Sequence, residues 1–259
     1  MSAGLLGADE AAPAEVLRPG GKSRFLLTAD HAGRVIPRAL GDLGVSAADM
    51  DRHIAWDIGI AGVTRRLSAL LDAPAVLQTY SRLVIDCNRK PGEASAFAEV
   101  SEATEIPGNK GLGTEAKAAR QAAIFDPYHA AIEGLITARP ESVYVAMHSF
   151  TPVYLEHARP MHVAVLYNRS PRLSRSLAAL LRAEPGLVVG ENAPYQLTDE
   201  TDYGVPVHAE ARGLDYLEIE IRQDLIQHEA GQAEWAERLA RLLPLALAAL
   251  ETTGAESKA

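Results

Sequence analysis

Short apolar runs that alternate with amphipathic segments organise most of the chain. Buried strands are predicted over residues 24–29, 142–147 and 162–167. Shorter strands are predicted at 187–189 and at 75–79 and 83–85, the last two as separate strands or as one strand with a bend. From Asp215 to Ile221 the pattern alternates, with Leu217, Ile219 and Ile221 on one face and Glu218 and Glu220 on the other.

Helical spacing of apolar residues predicts helices over 46–72, 114–138, 174–183 and 229–250. Ser46 is placed to cap the first, and Pro244 is expected to interrupt or kink the last. Strands that alternate with helices predict an α/β fold, a three-layer α/β/α sandwich around a mixed, mostly parallel sheet.

The domain organisation follows from the ends of this pattern. Residues 1–22 are rich in Ala, Gly and Pro and are expected to form a flexible arm. Residues 23–251 are expected to form a single domain, and 252–259 a disordered tail. Between them, residues 90–113 are polar and contain glycine, which is typical of a long surface loop that is either a functional lid or disordered.

Charge and composition narrow the function class. A formal net charge of -9 and a pI of about 5.4 argue against nucleic-acid binding. No apolar run approaches the roughly 20 residues that span a bilayer, and residues 1–17 have no basic region typical of a signal peptide. We therefore expect a cytoplasmic protein without a membrane partner. The single cysteine, Cys87, excludes a disulfide framework and a multi-cysteine zinc site.

The most informative block is Tyr80-Ser81-Arg82-Leu83-Val84-Ile85-Asp86-Cys87-Asn88-Arg89. Arginine offers a planar fork that suits a carboxylate, and asparagine adds a donor and an acceptor. The block is therefore predicted to form the wall of a site for a small acidic molecule. Asp86 is expected to support an arginine rather than to perform chemistry.

Other polar clusters follow predicted strands, at Asp30-His31, His148-Ser149 and 220–224. Ligands of open α/β sheets gather outside the carboxyl ends of the strands. His31 and His148 are placed as metal ligands, and a catalytic zinc typically takes three from the protein. Asp57 is the best candidate for the third, with His53 as its main competitor. A nearby carboxylate must carry the proton from water to the leaving amine. Glu220 suits that task, and Glu218 shares its face.

Together these residues resemble the N-formylglutamate amidohydrolase family, which is related to zinc carboxypeptidases and aspartoacylase-like deacylases. The similarity runs from about residue 25 to 225, through His31-Ala32-Gly33, the 80–89 block, Pro127-Tyr128-His129, His148-Ser149 and Glu220-Ile221-Arg222. It implies a zinc-carboxypeptidase-like fold, one zinc ion on His31, Asp57 and His148, and Glu220 as general base. It also implies that Asn88 and Arg89 grip a substrate carboxylate. Carboxypeptidases have a glutamate three residues after the first histidine, where this chain has Arg34.

The leading hypothesis is a zinc-dependent amidohydrolase that cleaves the amide of a small acidic N-acyl amino acid such as N-formylglutamate. Arg82 is expected to stabilise the oxyanion or to hold substrate, and Arg222 to orient Glu220 or substrate. Another divalent metal could replace zinc. Two alternatives stay open: a deacylase of a larger peptide-like amide, and a metal-free carboxylate-binding protein. His129 and His208 have no role that the sequence assigns.

Overall fold

Seven of the strands form one sheet, and two short hairpins lie outside it. The computed structural model describes residues 4–256, with side chains described through Thr252. The strands are β1 Ala14–Leu17, β2 Phe25–Ala29, β3 Ala75–Gln78, β4 Val100–Ser101, β5 Thr104–Glu105, β6 Val143–Phe150, β7 Val153–Tyr154, β8 His157–Ala158, β9 Val163–Leu166, β10 Val189–Glu191 and β11 Tyr216–Arg222.

The sheet has the order β1-β3-β2-β6-β11-β9-β10. The neighbours β3, β2, β6 and β11 are parallel, while β1 pairs antiparallel with β3 and β9 pairs antiparallel with β11. β10 runs parallel to β9. The expected mixed, mostly parallel sheet is confirmed. Because four parallel strands are adjacent, their carboxyl ends meet along one edge, where the polar clusters of the sequence are brought together.

Helices cover both faces of this sheet. They are α1 Ala47–Met50, α2 Ile60–Leu71, α3 Thr114–Arg120, α4 Asp126–Ala138, α5 Arg172–Arg182 and α6 Glu229–Glu256. A π-helical turn, Gln121–Phe125, joins α3 to α4, and a second one spans Val205–Ala209. Short 3-10 helices lie at Arg38–Leu40, Ala94–Phe97, Pro107–Asn109, Glu210–Arg212 and Gln223–Leu225.

The alternation of residues along the central strands explains this three-layer packing. Val143, Val145 and Met147 of β6 pack in the core formed with α2, α5 and α6. Tyr144 and Ala146 belong to the second core, which contains α4. All eight residues of β6 are buried, because a central strand of a covered sheet is removed from water on both faces.

Several sequence predictions are corrected at the chain ends. Residues 14–17 of the expected flexible arm form β1 and pair with β3, and the Tyr80 hydroxyl donates to the Ala11 carbonyl at 2.7 Å. The expected disordered tail is helical as far as Glu256, because α6 continues past residue 251. Pro244 lies inside α6 and does not interrupt it. Residues 1–3 and 257–259, which belong to the same two predictions, lie outside the described part of the chain.

Three internal predictions are also corrected. The helix predicted over 46–72 consists of α1, capped by Ser46, and α2, with a non-helical segment at 51–59 between them. Residues 83–85 do not form a strand: residues 82–84 form a turn and residue 85 is irregular. The 90–113 loop is ordered and contains two 3-10 helices and the β4–β5 hairpin, with Phe97 and Ile106 buried in the second core. In the described part of the chain, no helix combines the length and apolar character needed to cross a membrane.

Candidate metal centre and active site

The carboxyl edge of the sheet opens into a cavity of about 560 Å³. His31 follows β2, His148 lies in β6, Glu220 lies in β11, and Asp57 precedes α2; all four line the cavity. One ligand atom from each of His31, Asp57 and His148 lies within 4.8 Å of the other two. The volume falls in the range of small-molecule binding sites.

Each histidine has a buried carboxylate on the side away from Asp57. His31 Nε2 lies 2.7 Å from Asp86 Oδ1, and His148 Nε2 lies 3.6 Å from Asp30 Oδ2. The opposite nitrogens face Asp57, with His31 Nδ1 at 3.6 Å from Oδ1 and His148 Nδ1 at 3.1 Å from Oδ2. The His31–Asp86 hydrogen bond is of the kind that orients histidines in metal sites, whereas His148 Nε2 and Asp30 are too far apart to form one.

Asp57 is positioned by its backbone and by a glycine two residues later. Its N–H donates to the His31 carbonyl at 2.9 Å, and its Oδ2 accepts from the Ser149 N–H at 3.0 Å. Gly59 has φ of 84°, and a Cβ there would lie 2.1 Å from the Ile226 carbonyl oxygen. Only glycine fits this turn, which ends the non-helical segment and leaves Asp57 in the cavity rather than on a helix.

The charges around His31, Asp57 and His148 favour the binding of a positively charged ion. Burial raises the pKa of Asp57, but His31 and His148 outweigh it and hold that pKa well below its usual range. Burial and Arg82 lower the pKa of His31, yet Asp86 and Asp57 leave it raised overall. Two imidazoles and a carboxylate around one point are ordinary ligands of zinc and related ions. His31 Nδ1 is buried and has no hydrogen-bond partner in the described part of the chain, so the residues present fit a divalent metal.

Glu220 lies beside this cluster, in register with His148 on the adjacent strand. Its carboxyl group is buried, and Oε2 has no hydrogen-bond partner among the residues that the structure describes. Burial raises the pKa of Glu220 to about 8, with Asp57 adding to the shift and His148 opposing it. A carboxyl group whose pKa lies near neutrality can both accept and return a proton, which is what general acid–base catalysis requires.

Arg82 forms the cationic wall of the cavity. Its Nη2 donates to Asp86 Oδ2 at 2.7 Å, and its Nη1 lies 3.5 Å from Asp57 Oδ1. The prediction that Asp86 supports an arginine is confirmed, and the same carboxylate also orients His31. Arg82 lines the cavity, where a fixed guanidinium can stabilise negative charge on a bound molecule.

Asn88 and Arg89 line the cavity, but Asn88 is engaged with the protein itself. Its Oδ1 accepts from the N–H groups of Tyr203 and Gly204 at 2.9 and 3.0 Å, and its Nδ2 donates to Asp202 Oδ1 at 2.8 Å. Asn88 therefore holds residues 202–204 against the 80–89 block. This corrects the prediction that its amide is available to grip a substrate carboxylate.

Arg89 and Arg222 differ in their relation to the site. Arg89 Nη1 donates to the carbonyls of Asn88 and Thr201, and its side chain contributes to the cavity lining. Arg222 instead pairs with Asp224, with Nε to Oδ1 at 2.8 Å, and contacts carbonyls of residues 159–161. Among the described residues Arg222 is not part of the cavity lining, so its predicted role in substrate binding is corrected.

This geometry agrees with the comparison of the chain to known families. The profile of the N-formylglutamate amidohydrolase family matches residues 23–227. The chain belongs to the N-formylglutamate amidohydrolase family. The family predicted from the sequence is thus confirmed, and membership supports a hydrolase that acts on amide bonds.

Two solved structures resemble this family member over nearly its whole length. A gene product of Agrobacterium tumefaciens is 36% identical with a TM-score of 0.92, and the match covers 95% of this chain and 99% of that one. N-formylglutamate amidohydrolase from Ralstonia eutropha is 22% identical with a TM-score of 0.65, and the match covers 91% and 97%. At that identity the second likeness shows a common fold. Comparison with curated proteins gives no match.

The remaining histidines of this amidohydrolase-family chain lie around the site rather than at its centre. His53 lines the cavity, 3.6 Å from Glu102, and does not belong to the ligand cluster. His129 Nδ1 lies 2.8 Å from His208 Nε2, and His129 Nε2 lies 2.9 Å from the Cys87 carbonyl. Burial lowers the pKa of both, to about 4 for His208, so this pair is neutral packing behind the 80–89 block.

Residues 194–202 contribute a second wall of the cavity, which the sequence does not predict. Tyr195 lines the cavity and accepts a hydrogen bond from Arg159 at 2.8 Å. The Arg159 guanidinium also lies over the rings of Tyr154 and Tyr195, 4.9 and 4.8 Å from their centroids. These contacts are long-range and have no local sequence signal. Residues 196–202 are rich in threonine and aspartate, and this composition is typical of any surface turn.

Replacing Asn88 with Ala is expected to speed amide hydrogen exchange at Tyr203 and Gly204 by about tenfold or more in the ligand-free protein. The substitution removes the acceptor of both N–H groups, and an unpaired buried donor costs about 1–3 kcal/mol. Asn109→Ala is the matched control, because Asn109 is also buried but donates to the carbonyls of Leu83 and Ala98. If amide hydrogen exchange at residues 203–204 is unchanged in Asn88→Ala while substrate binding is weaker, Asn88 binds substrate and does not hold residues 202–204.

Proposed function

We propose that this protein hydrolyses the amide bond of a small N-acyl amino acid, with a zinc ion held by His31, Asp57 and His148. The observation that carries the proposal is that these three side chains and the buried carboxyl group of Glu220 line one cavity. When bound, zinc would polarise the amide carbonyl and lower the pKa of water to about 7. N-formylglutamate, from which the family takes its name, is one substrate of this class.

Glu220 is assigned the proton transfers. Its Oε2 has no hydrogen-bond partner among residues 4–256 and can accept the proton of the attacking water. The same carboxyl group then returns the proton to the amide nitrogen as the C–N bond breaks, which leaves a neutral amine. In the metal-free site burial holds the pKa of Glu220 at about 8, and the positive charge of a bound zinc ion would lower that pKa, which would make the carboxylate available to accept the first proton.

Arg82 is assigned to the developing negative charge on the carbonyl oxygen. Its guanidinium is fixed by Asp86 before substrate binds, so little reorganisation is needed during the reaction. Arg89 is assigned to the substrate carboxylate, because it lines the cavity close to Asn88 without an acidic partner within 4.0 Å among the described residues. Charge-assisted hydrogen bonds from arginine suit such a group.

The test is a hydrolysis screen of purified protein with N-formyl, N-acetyl and N-succinyl amino acids, with and without a chelator. We expect release of the free amino acid from at least one series, and loss of that activity on chelation with recovery when zinc is restored. A protein that contains stoichiometric metal and hydrolyses none of these compounds would contradict the proposal. Turnover that is unaffected by chelation would contradict the metal-dependent mechanism.

A further inference from the structure

Tyr195 presents a hydroxyl group at the cavity wall, and the proposed reaction does not use it. Its side chain is 41% exposed and forms part of the cavity lining. The hydroxyl oxygen accepts a hydrogen bond from Arg159 Nη1 at 2.8 Å. The hydroxyl hydrogen has no acceptor in the described part of the chain, so it is available to a bound molecule.

A second tyrosine–arginine pair lies outside the cavity and shows the contrast. The Tyr167 hydroxyl group accepts from Arg175 Nη2 at 3.2 Å and donates its hydrogen to Glu191 Oε2 at 3.3 Å. At Tyr167 the protein therefore supplies both the donor and the acceptor, whereas at Tyr195 the described residues supply only the donor. A hydroxyl group can donate one hydrogen bond and accept others, so Tyr195 is placed to take its missing acceptor from a ligand.

Arg159 fixes the direction of the Tyr195 hydroxyl group. The guanidinium group lies over the rings of Tyr154 and Tyr195, and its carbon is also 5.9 Å from the centroid of the Phe150 ring. The Arg159 backbone N–H donates to the Pro152 carbonyl at 2.8 Å. Because the guanidinium group contacts three rings, its orientation is restricted, and donation from a cation polarises the hydroxyl group and makes it a stronger donor.

The charges that act on Tyr195 include those of the reacting centre. Burial raises the pKa of Tyr195 and Glu220 raises it further, Arg159 opposes the shift, and Asp57 adds to it. The hydroxyl group therefore keeps its hydrogen at neutral pH. It remains a donor close to the general base and to a metal ligand.

We propose that the Tyr195 hydroxyl group donates a hydrogen bond to the carbonyl oxygen of the scissile amide as that oxygen gains negative charge. The inference rests on the proposed function, in which Arg82 serves the same oxygen. Among the acceptors of an N-acyl amino acid, this oxygen is on the carbon that the water activated by Glu220 attacks. Two preoriented donors to one oxyanion are common in acyl-transfer sites. Arg159 is a positioning residue, because it acts through Tyr195 and does not itself line the cavity among the described residues.

The first test is the kinetics of Tyr195→Phe, which removes only the hydroxyl group. Loss of one oxyanion donor is expected to lower kcat by about 10²-fold. KM should change by less than about threefold, because the interaction strengthens in the transition state rather than in the bound substrate. Tyr167→Phe is the matched control and should leave both constants unchanged, since Tyr167 also accepts from an arginine but lies outside the cavity lining among the described residues.

The positioning role of Arg159 is tested by combining two substitutions. Arg159→Ala alone should lower kcat by about tenfold, but in the Tyr195→Phe background it should change kcat by less than about twofold, because its effect passes through the hydroxyl group. Equal effects in the two backgrounds would contradict the positioning role, because they would show that Arg159 acts independently of the hydroxyl group.

Calorimetry provides a readout that does not depend on turnover. The probe is N-(methylphosphonyl)glutamate, in which an anionic tetrahedral phosphoryl group replaces the amide carbonyl. It should bind at least about tenfold more weakly to Tyr195→Phe than to the unmodified protein with its metal, because a hydrogen bond to a charged group is lost. Free glutamate, which lacks the phosphoryl group, should bind both proteins equally.

Unchanged kcat and probe affinity in Tyr195→Phe, or no binding of the probe to the unmodified protein, would overturn the inference. Equal weakening of the probe and of free glutamate with unchanged kcat would also overturn it, and would place the hydroxyl group at the substrate carboxylate. The proposed reaction can fail separately. Tyr195-dependent binding of the probe without hydrolysis of any N-acyl amino acid would refute the amidohydrolase and keep the donor. Hydrolysis at the full rate by Tyr195→Phe would do the opposite.

Discussion

Replacing Glu220 with Gln is expected to lower kcat for amide hydrolysis by about 10²–10⁴-fold, the usual contribution of general acid–base catalysis. Glutamine keeps the size and the hydrogen-bonding capacity of the side chain but cannot take a proton from water. Because Glu220 is not one of the three ligand residues, metal content should stay at the level of the unmodified protein. The fall in kcat is checked by measuring rates at saturating substrate, and the unchanged metal binding by measuring the metal content of the same preparation.

Glu237→Gln is a matched control for this experiment, because Glu237 is an exposed glutamate of α6 outside the cavity lining. It should leave kcat unchanged. Full turnover by Glu220→Gln would rule out Glu220 as the base, and Glu218→Gln would then be the variant to examine, since Glu218 shares its face of β11. A fall in kcat that comes with loss of metal would assign Glu220 to the metal centre instead.

Replacing His148 with Ala is expected to remove most of the bound metal and to lower activity by at least about 10³-fold. The substitution deletes one of three ligand groups and leaves Asp57 Oδ2 without its imidazole neighbour. Asp86→Asn should have a smaller effect, about 10–100-fold in metal affinity, because Asp86 acts through His31 rather than as a ligand. Metal analysis after dialysis and activity at fixed zinc measure the two effects.

His157→Ala is the matched control for the metal site, since His157 is an exposed histidine in β8. We expect it to retain metal and activity. Retention of full metal content by His148→Ala would show that the ion, if present, is held elsewhere. Loss of metal from both variants would indicate a general effect of the substitutions on folding.

Much of the sheet and part of the site could be predicted from the sequence because the signals are local. The buried strands β2, β6 and β9 are apolar runs, and β11 alternates strictly, so the buried carboxyl groups of Glu218 and Glu220 were assigned to one face correctly. His31 follows β2 and His148 lies near the end of β6. Because β2 and β6 are parallel neighbours in the sheet, these positions lie at the same edge regardless of the loop conformations.

The parts that could not be predicted depend on contacts between distant segments. Asp57 lies in a stretch with helical spacing, and the helix is broken there because Gly59 packs against Ile226, far away in the chain. Asn88 has the residue type of a substrate ligand, but its partners come from residues 202–204, which no pattern in the 80–89 block indicates. Arg222 pairs with Asp224, two residues further along the chain, and its position on the strand does not indicate this partner.

We infer that His31, Asp57 and His148 hold a metal ion on which amide hydrolysis depends. The most direct measurement is elemental analysis of the protein purified without added metal, together with hydrolysis of N-formyl amino acids by the same sample. We expect about one equivalent of a divalent metal, its loss in His148→Ala and a parallel loss of turnover. Turnover by protein that contains no metal, or metal retained at full stoichiometry in His148→Ala, would contradict it.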